Sequence, residues 1–157
     1  IILVTQKGQS IRFPVSELRT SLRTSGGVRG IRLAPNDRVV SLGVLRPEAF
    51  VLTVTANGYG KLTPIRSYPR QHRAGGGVRT FRITEKTGDV AAAKLVSQTE
   101  QVMIITAEGF VINTPVTERD PKQGITIQGR STQGVRLMKL DSGDRVVAVA
   151  SFDKADS

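Results

Sequence analysis

Apolar and polar positions alternate in short runs along this chain, and no stretch keeps the three-and-four spacing of a capped amphipathic helix. Ile2 to Thr5, Phe50 to Thr55 and Val102 to Thr106 are rich in strand-forming residues. Each is followed by a polar pair and a glycine, as in Gln6-Lys7-Gly8, Ala56-Asn57-Gly58 and Ala107-Glu108-Gly109, which predicts a tight hairpin. The returning strand, Gln9 to Phe13 or Phe110 to Thr114, runs into a proline that offers no donor to a ladder. A polar connection comes next, then a strand opening on Gly-Val-Arg, then a turn with Asp37, Asp89 or Asp144. Val39 to Leu45, Val90 to Val96 and Val146 to Phe152 form the last strand. The pattern predicts an all-β chain with four strands per unit.

The units repeat. Gly8, Gly58 and Gly109 are each followed six residues later by Pro14, Pro64 and Pro115, and Arg-x-x-x-Gly-Val-Arg recurs at Arg23 to Arg29, Arg73 to Arg79 and Arg130 to Arg136. The third copy is longer between Pro115 and Arg130, which reads as a loop insertion around Asp120 to Thr126. A period near 50 made of short strands points to blades of a radial β-array, because one such unit cannot bury its apolar face alone. The blades are expected at about 1–48, 49–99 and 100–153. Radial arrays close with roughly four to eight blades, so three blades predict a piece of a longer ring or an assembly of chains. The opening on Ile1-Ile2-Leu3-Val4, already inside a strand and without a methionine, favours the piece.

Charge sharpens this picture. The chain carries 23 Lys and Arg against 13 Asp and Glu, a formal net charge of +10. Residues 1 to 50 and 51 to 100 each hold eight basic and three acidic side chains, whereas residues 101 to 157 hold seven of each, so the first two repeats make the field. An Arg-rich excess of this kind suits a polyanion. Without cysteine there are neither disulfides nor thiolate metal sites, and His72 as the only histidine rules out a histidine metal cluster. No apolar run approaches the length of a membrane span, which predicts a cytoplasmic protein with no membrane partner.

Catalytic constellations do not emerge. His72 has no acid near it in sequence, and Glu118, Asp120, Asp141 and Asp144 match no metal loop, Asp144 having repeat partners in Asp37 and Asp89. Ala74-Gly75-Gly76-Gly77 lacks the Lys-Ser/Thr ending of a nucleotide loop, although it can still cradle an anion with backbone donors. The candidate site is therefore basic. Arg23, Arg73 and Arg130 recur just before the glycine turn and are expected on one exposed margin as phosphate ligands. Arg29, Arg79 and Arg136 lie on the apolar-facing side of their strands, open to phosphate contact or to pairing with Asp37, Asp89 and Asp144. Arg12, Lys61, Arg66 and Arg70, around the proline, complete the expected rim. Such a rim holds a duplex by its phosphates without reading bases, and a curved rim bends it.

Gly129-Arg130-Ser131-Thr132-Gln133-Gly134-Val135-Arg136-Leu137, Gly143 to Ala150, Thr53 to Lys61 and Gly26 to Leu33 together resemble the C-terminal β-pinwheel of the A subunit of bacterial DNA gyrase and its relative in topoisomerase IV. The resemblance covers the whole chain, in the order of the last three of six blades. It implies a part that wraps double-stranded DNA and has no active site or cofactor of its own. ATP and magnesium would be used elsewhere in the parent enzyme. The partners implied are the remaining blades, the B subunit of the parent complex and the N-terminal part of the A subunit, in the bacterial cytoplasm at the nucleoid. The heptapeptide Gln-Arg-Arg-Gly-Gly-Lys-Gly that marks gyrase is degenerate in all three slots, for example Gln71-His72-Arg73-Ala74-Gly75-Gly76-Gly77. Topoisomerase IV therefore stays open as an alternative, as does a kelch-like interaction propeller, whose spaced aromatics this chain lacks.

Overall fold

The computed structural model describes residues 1–18, 27–116 and 124–153, so Asp120 to Gln123 of the expected insertion lie outside the described residues. Among the described residues eleven strands run in chain order: β1 Ile2–Thr5, β2 Gln9–Arg12, β3 Val39–Gly43, β4 Phe50–Thr55, β5 Tyr59–Pro64, β6 Val78–Arg79, β7 Val90–Val96, β8 Glu100–Thr106, β9 Val111–Pro115, β10 Val135–Arg136 and β11 Val146–Asp153. Two single 3-10 turns, Val15–Glu17 and Ile65–Ser67, follow the prolines that stop β2 and β5. The three hairpins form as the sequence predicts. Gly8, Gly58 and Gly109 hold φ of 86°, 88° and 90°, a region that penalises any side chain.

Three antiparallel sheets result, with strand orders β3-β1-β2-β6, β10-β5-β4-β7 and β11-β8-β9. The outer strand of each complete sheet comes from the following repeat. Gln9 and Ser10 of β2 pair with Arg79 and Val78 of β6, and Tyr59 and Gly60 of β5 pair with Arg136 and Val135 of β10. The expectation that each repeat supplies all four strands of its own blade is thereby corrected. Alternation and turn residues define a strand but not the sheet that receives it. In the same way Val28-Arg29 forms no strand, since its acceptor would belong to a repeat before the first, and the third sheet has three strands among the described residues.

The hairpin glycines show where a donated strand docks. The Gly8 carbonyl accepts from Thr80 and Phe81, and the Gly58 carbonyl from Leu137 and Met138. A Cβ at Gly8 would stand 2.5 Å from the Phe81 carbonyl oxygen and one at Gly58 2.7 Å from that of Met138, whereas Gly109 has nothing within 4 Å.

Packing is shared between blades. Leu52, Val54, Leu62 and Val96 of the second blade join Val102, Ile104, Val116, Ile125 and Val146 of the third in one buried cluster. Val4 meets Tyr59, Phe81 and Val90 in another. Each fully buried Leu or Ile here contributes about 1.5–3 kcal/mol relative to exposure. β3 packs on β7 and β7 on β11, so the last strand of each repeat lines the inner side and the donated strands β6 and β10 form the outer margin.

Candidate nucleic-acid interface

Five of the ten expected site residues are exposed on or beside the outer margin. Arg79 and Arg136 stand on the donated strands, with Arg29 on the unpaired equivalent, and all three are exposed. Arg66 and Arg70, beside the second 3-10 turn, are exposed too. Arg23 lies outside the described residues. None of Arg29, Arg66, Arg70, Arg79 and Arg136 forms an ion pair among the described residues, where the pairs are Lys7–Asp89, Arg46–Glu100 and His72–Glu17.

The pairing of Arg29, Arg79 and Arg136 with the turn aspartates, one of two readings left open, does not occur among the described residues. Asp37 accepts from the amides of Lys7 and Arg38, and Asp144 from those of Glu108 and Arg145. These carboxylates cap two hairpins, because an exposed amide at a turn is a nearer donor than a guanidinium on the far edge. Asp89 instead takes the Lys7 ammonium of the previous repeat at 3.1 Å. Arg136 reaches Tyr59, its Nη2 donating to the hydroxyl at 3.2 Å and its guanidinium lying 5.7 Å from the ring centre.

Arg73 and Arg130 are half-buried, and each grips a backbone carbonyl of the preceding repeat. Arg73 Nη1 donates to the Arg29 carbonyl at 3.2 Å, while Arg130 donates through Nη1 to that of Arg79 at 2.9 Å and through Nε to that of Ser67 at 2.7 Å. Arg12 is similarly engaged, Nη1 serving the carbonyls of Ile65 and Tyr68 at 3.2 and 3.1 Å. These three arginines fasten neighbouring repeats and keep only part of their donors for a ligand.

Lys61 departs furthest from expectation. It is fully buried, not on the rim, and its ammonium donates to the carbonyls of Gly129, Arg130 and Thr132 at 2.7, 2.9 and 2.8 Å and to Thr132 Oγ1 at 3.0 Å. The Phe81 ring centre lies 4.8 Å away. Burial, reinforced by the charge of Arg130, pulls its pKa down to about 7. Its slot in the hairpin is filled by Ile11 and Ile112 in the other copies, a signal that could have revealed the burial. Beside it Tyr68 is buried, its hydroxyl bonded to Thr80 and its pKa raised by desolvation.

Glu17 was not foreseen. Its carboxylate accepts from the Arg73 amide at 3.0 Å and lies 3.2 Å from His72 Nδ1, at the turn where Lys61 serves the next copy. Among the described residues no group of three or more His, Asp or Glu side chains could hold a metal ion, and no helix is long and apolar enough to cross a membrane.

The family model described as "DNA gyrase C-terminal domain, beta-propeller" matches residues 1–46, 49–97, 100–118 and 121–153. The A subunit of DNA gyrase from Dehalogenimonas lykanthroporepellens is 58% identical over 152 residues, covering 97% of this chain and 19% of that protein. Its counterpart from Escherichia coli K12 is 40% identical over 149 residues, covering 95% and 16%. The chain thus spans about a fifth or less of the curated relatives it matches. A crystal structure of the C-terminal domain of DNA topoisomerase IV superposes with a TM-score of 0.86 at 20% identity, over 97% of this chain and 46% of that one. A DNA gyrase A C-terminal domain gives 0.85 at 24%, over 96% and 50%. With its donated outer strands and a family match along nearly its whole length, the chain belongs to the β-propeller C-terminal domain family of the DNA gyrase A subunit.

Proposed function

We propose that this chain binds double-stranded DNA without reading its sequence, and bends it, as the wrapping part of a type IIA topoisomerase A subunit. The observation that carries the reading is a set of exposed arginines that make no ion pair among the described residues: Arg79 and Arg136 on the donated outer strands, Arg29 on the equivalent segment, and Arg66 and Arg70 beside the second 3-10 turn. Phosphate contacts of this kind position a duplex and do not discriminate bases. Bending 20 to 30 base pairs by 40 to 90° costs about 1–6 kcal/mol, so contacts must continue from blade to blade to offset it. The Val28-Arg29 segment, which has no strand partner among the described residues, and the Gly109 hairpin, which receives no donated strand there, suit further repeats of the same protein. The chemistry of strand cleavage and ATP use would reside in the B subunit together with the rest of the A subunit, in the cytoplasm with the chromosome.

Duplex affinity measured against salt tests this. A log-log slope of about −0.9 per neutralised phosphate is expected, falling when Arg66, Arg70, Arg79 and Arg136 are replaced together by Ala. A slope near zero, or the same slope in the quadruple variant, rejects the proposal.

A further inference from the structure

We propose that the Gly129–Thr132 turn is a built phosphate site, and that the equivalent turn one repeat earlier, His72–Gly75, is closed by the chain's own Glu17. The identification of the phosphate as one of duplex DNA rests on the function proposed above; the site itself rests on geometry.

A trans peptide unit points its N–H opposite to its C=O. The carbonyls of Gly129 and Arg130 both turn inward onto the Lys61 ammonium, at 2.7 and 2.9 Å. The amides of Arg130 and Ser131, in the same two peptide units, therefore face outward. Among the described residues neither amide has an acceptor. Successive outward amides form an anion-binding concavity, and here a buried cation lies directly behind them. Arg130 Nη2 adds a donor that no described residue uses, since Nε and Nη1 hold Ser67 and Arg79.

The neighbouring turn shows what such amides bind. There the Arg73 amide, the counterpart of the Arg130 amide, donates to a carboxylate oxygen of Glu17 at 3.0 Å, and the other oxygen of that carboxylate lies 3.2 Å from His72 Nδ1. Glu17 occupies the place a phosphate oxygen would take. Counting from Pro14 and Pro64, its counterpart is Ser67, which carries no charge, and the counterpart of Lys61 is Ile11. The first amide of each turn thus has the same role with reversed electrostatics, while the second differs: Ala74, at φ of 71°, donates to the Gly30 carbonyl, and the Ser131 amide has no acceptor among the described residues. One holds a carboxylate in front and an apolar side chain behind, the other an ammonium behind and an open front. Arg73 and Arg130, equivalent in sequence, are then unequal in function.

Amide chemical shifts of the full chain, followed by NMR during titration with inorganic pyrophosphate and separately with a short duplex, decide the matter. Arg130 and Ser131 amides are expected to respond to both probes while Arg73 stays still. In Glu17→Ala the Arg73 amide should begin to respond, and the salt slope of duplex binding should steepen by about 0.9 as one more phosphate is engaged. Glu17→Gln, which keeps the shape, should do so more weakly. Equal responses of both turns in the parent, no response of Arg130 and Ser131 to either probe, or an unchanged Arg73 amide in Glu17→Ala overturns the proposal. A response to pyrophosphate without one to duplex upholds the site and rejects DNA as its source.

Discussion

Arg130 donates from Nη1 to the backbone carbonyl of Arg79 at 2.9 Å, and one repeat earlier Arg73 makes the same bond to Arg29 at 3.2 Å. The Arg-x-x-x-Gly-Val-Arg motif is accordingly a clasp. Its first arginine closes on the carbonyl of the last arginine of the copy before, and at Arg79 that carbonyl sits where the Gly-Val-Arg strand has crossed to the preceding sheet. The clasp forms at both Arg29 and Arg79, so it recurs with the motif whether or not the Gly-Val-Arg segment is paired in a sheet.

Arg130→Ala should therefore destabilise the fold as well as weaken DNA binding. Two charge-assisted bonds to carbonyls are lost, each worth about 1.5–3 kcal/mol in a buried setting and less at this half-buried margin. A total loss of about 2 kcal/mol by urea denaturation is expected, with Arg73→Ala losing less because it has one such bond. If Arg130→Ala binds DNA more weakly but unfolds like the parent, the clasp is not a stabilising contact.

The hairpin glycines should answer differently to the same substitution. Ala at Gly58 meets both a positive φ and the Met138 carbonyl at 2.7 Å, so the donated strand must retreat; Ala at Gly109 meets only the φ. The conformational part costs about 1–2 kcal/mol at either position. Gly58→Ala should exceed Gly109→Ala by at least that much again in chemical denaturation. In a longer protein that supplies a following repeat, Gly109→Ala should become as costly as Gly58→Ala.

Much of this was legible in the residues. The hairpins at Gly8, Gly58 and Gly109, the strands they join and the last strand of each copy follow from alternation and turn chemistry, which are local. Strand donation was not, because Val78-Arg79 and Val135-Arg136 look the same whichever sheet receives them. The exposed arginines were readable as a charge excess, but the carbonyls that engage Arg12, Arg73 and Arg130 belong to other repeats and leave no mark in composition. Lys61 misled for the opposite reason: a lone lysine reads as surface, and only its alignment with Ile11 and Ile112 exposes it as core.

Glu100 gives the acid side of the stability profile. It is buried at the junction of the repeats, where desolvation raises its pKa and is outweighed by hydrogen bonds from Ser97, Ser151 and Arg46, leaving the carboxyl below its ordinary value. Arg46 bonds it from the end of the first repeat at 3.2 Å. A depressed carboxylate stabilises the fold above its unfolded pKa, and that contribution disappears as pH falls through the folded value. Stability should drop below about pH 4.5 in the parent, and Glu100→Gln should flatten that part of the curve while lowering stability at neutral pH. An identical acid limb in parent and variant would mean that Glu100 does not shape it.

Lys61 governs the opposite limb. Its folded pKa of about 7 lies below the ordinary value of 10.5, so between those limits the unfolded chain holds one proton more than the folded chain. Stability must then rise with pH across that window, by at most about 1.4 kcal/mol per unit. The charged group facing Lys61 is Arg130; Phe81 brings a ring and Thr132 a hydroxyl. Tyr68, whose pKa is raised above 10.0, reverses the trend in alkali, where the unfolded chain loses its phenolic proton first. The terminal amine of Ile1, lowered from 8.0, adds a smaller rise below that pH. Lys61→Met removes the titration but strands the Gly129 and Arg130 carbonyls, so it should be less stable than the parent by about 1–3 kcal/mol near neutrality, with the gap widening toward pH 9. Bound phosphate favours the ammonium, so affinity at the Gly129–Thr132 turn should run the other way and weaken as pH climbs past 7. Denaturation curves for parent and Lys61→Met at about pH 6, 7.5 and 9 separate these effects: parallel pH profiles in the two proteins would mean that Lys61 does not titrate in this range.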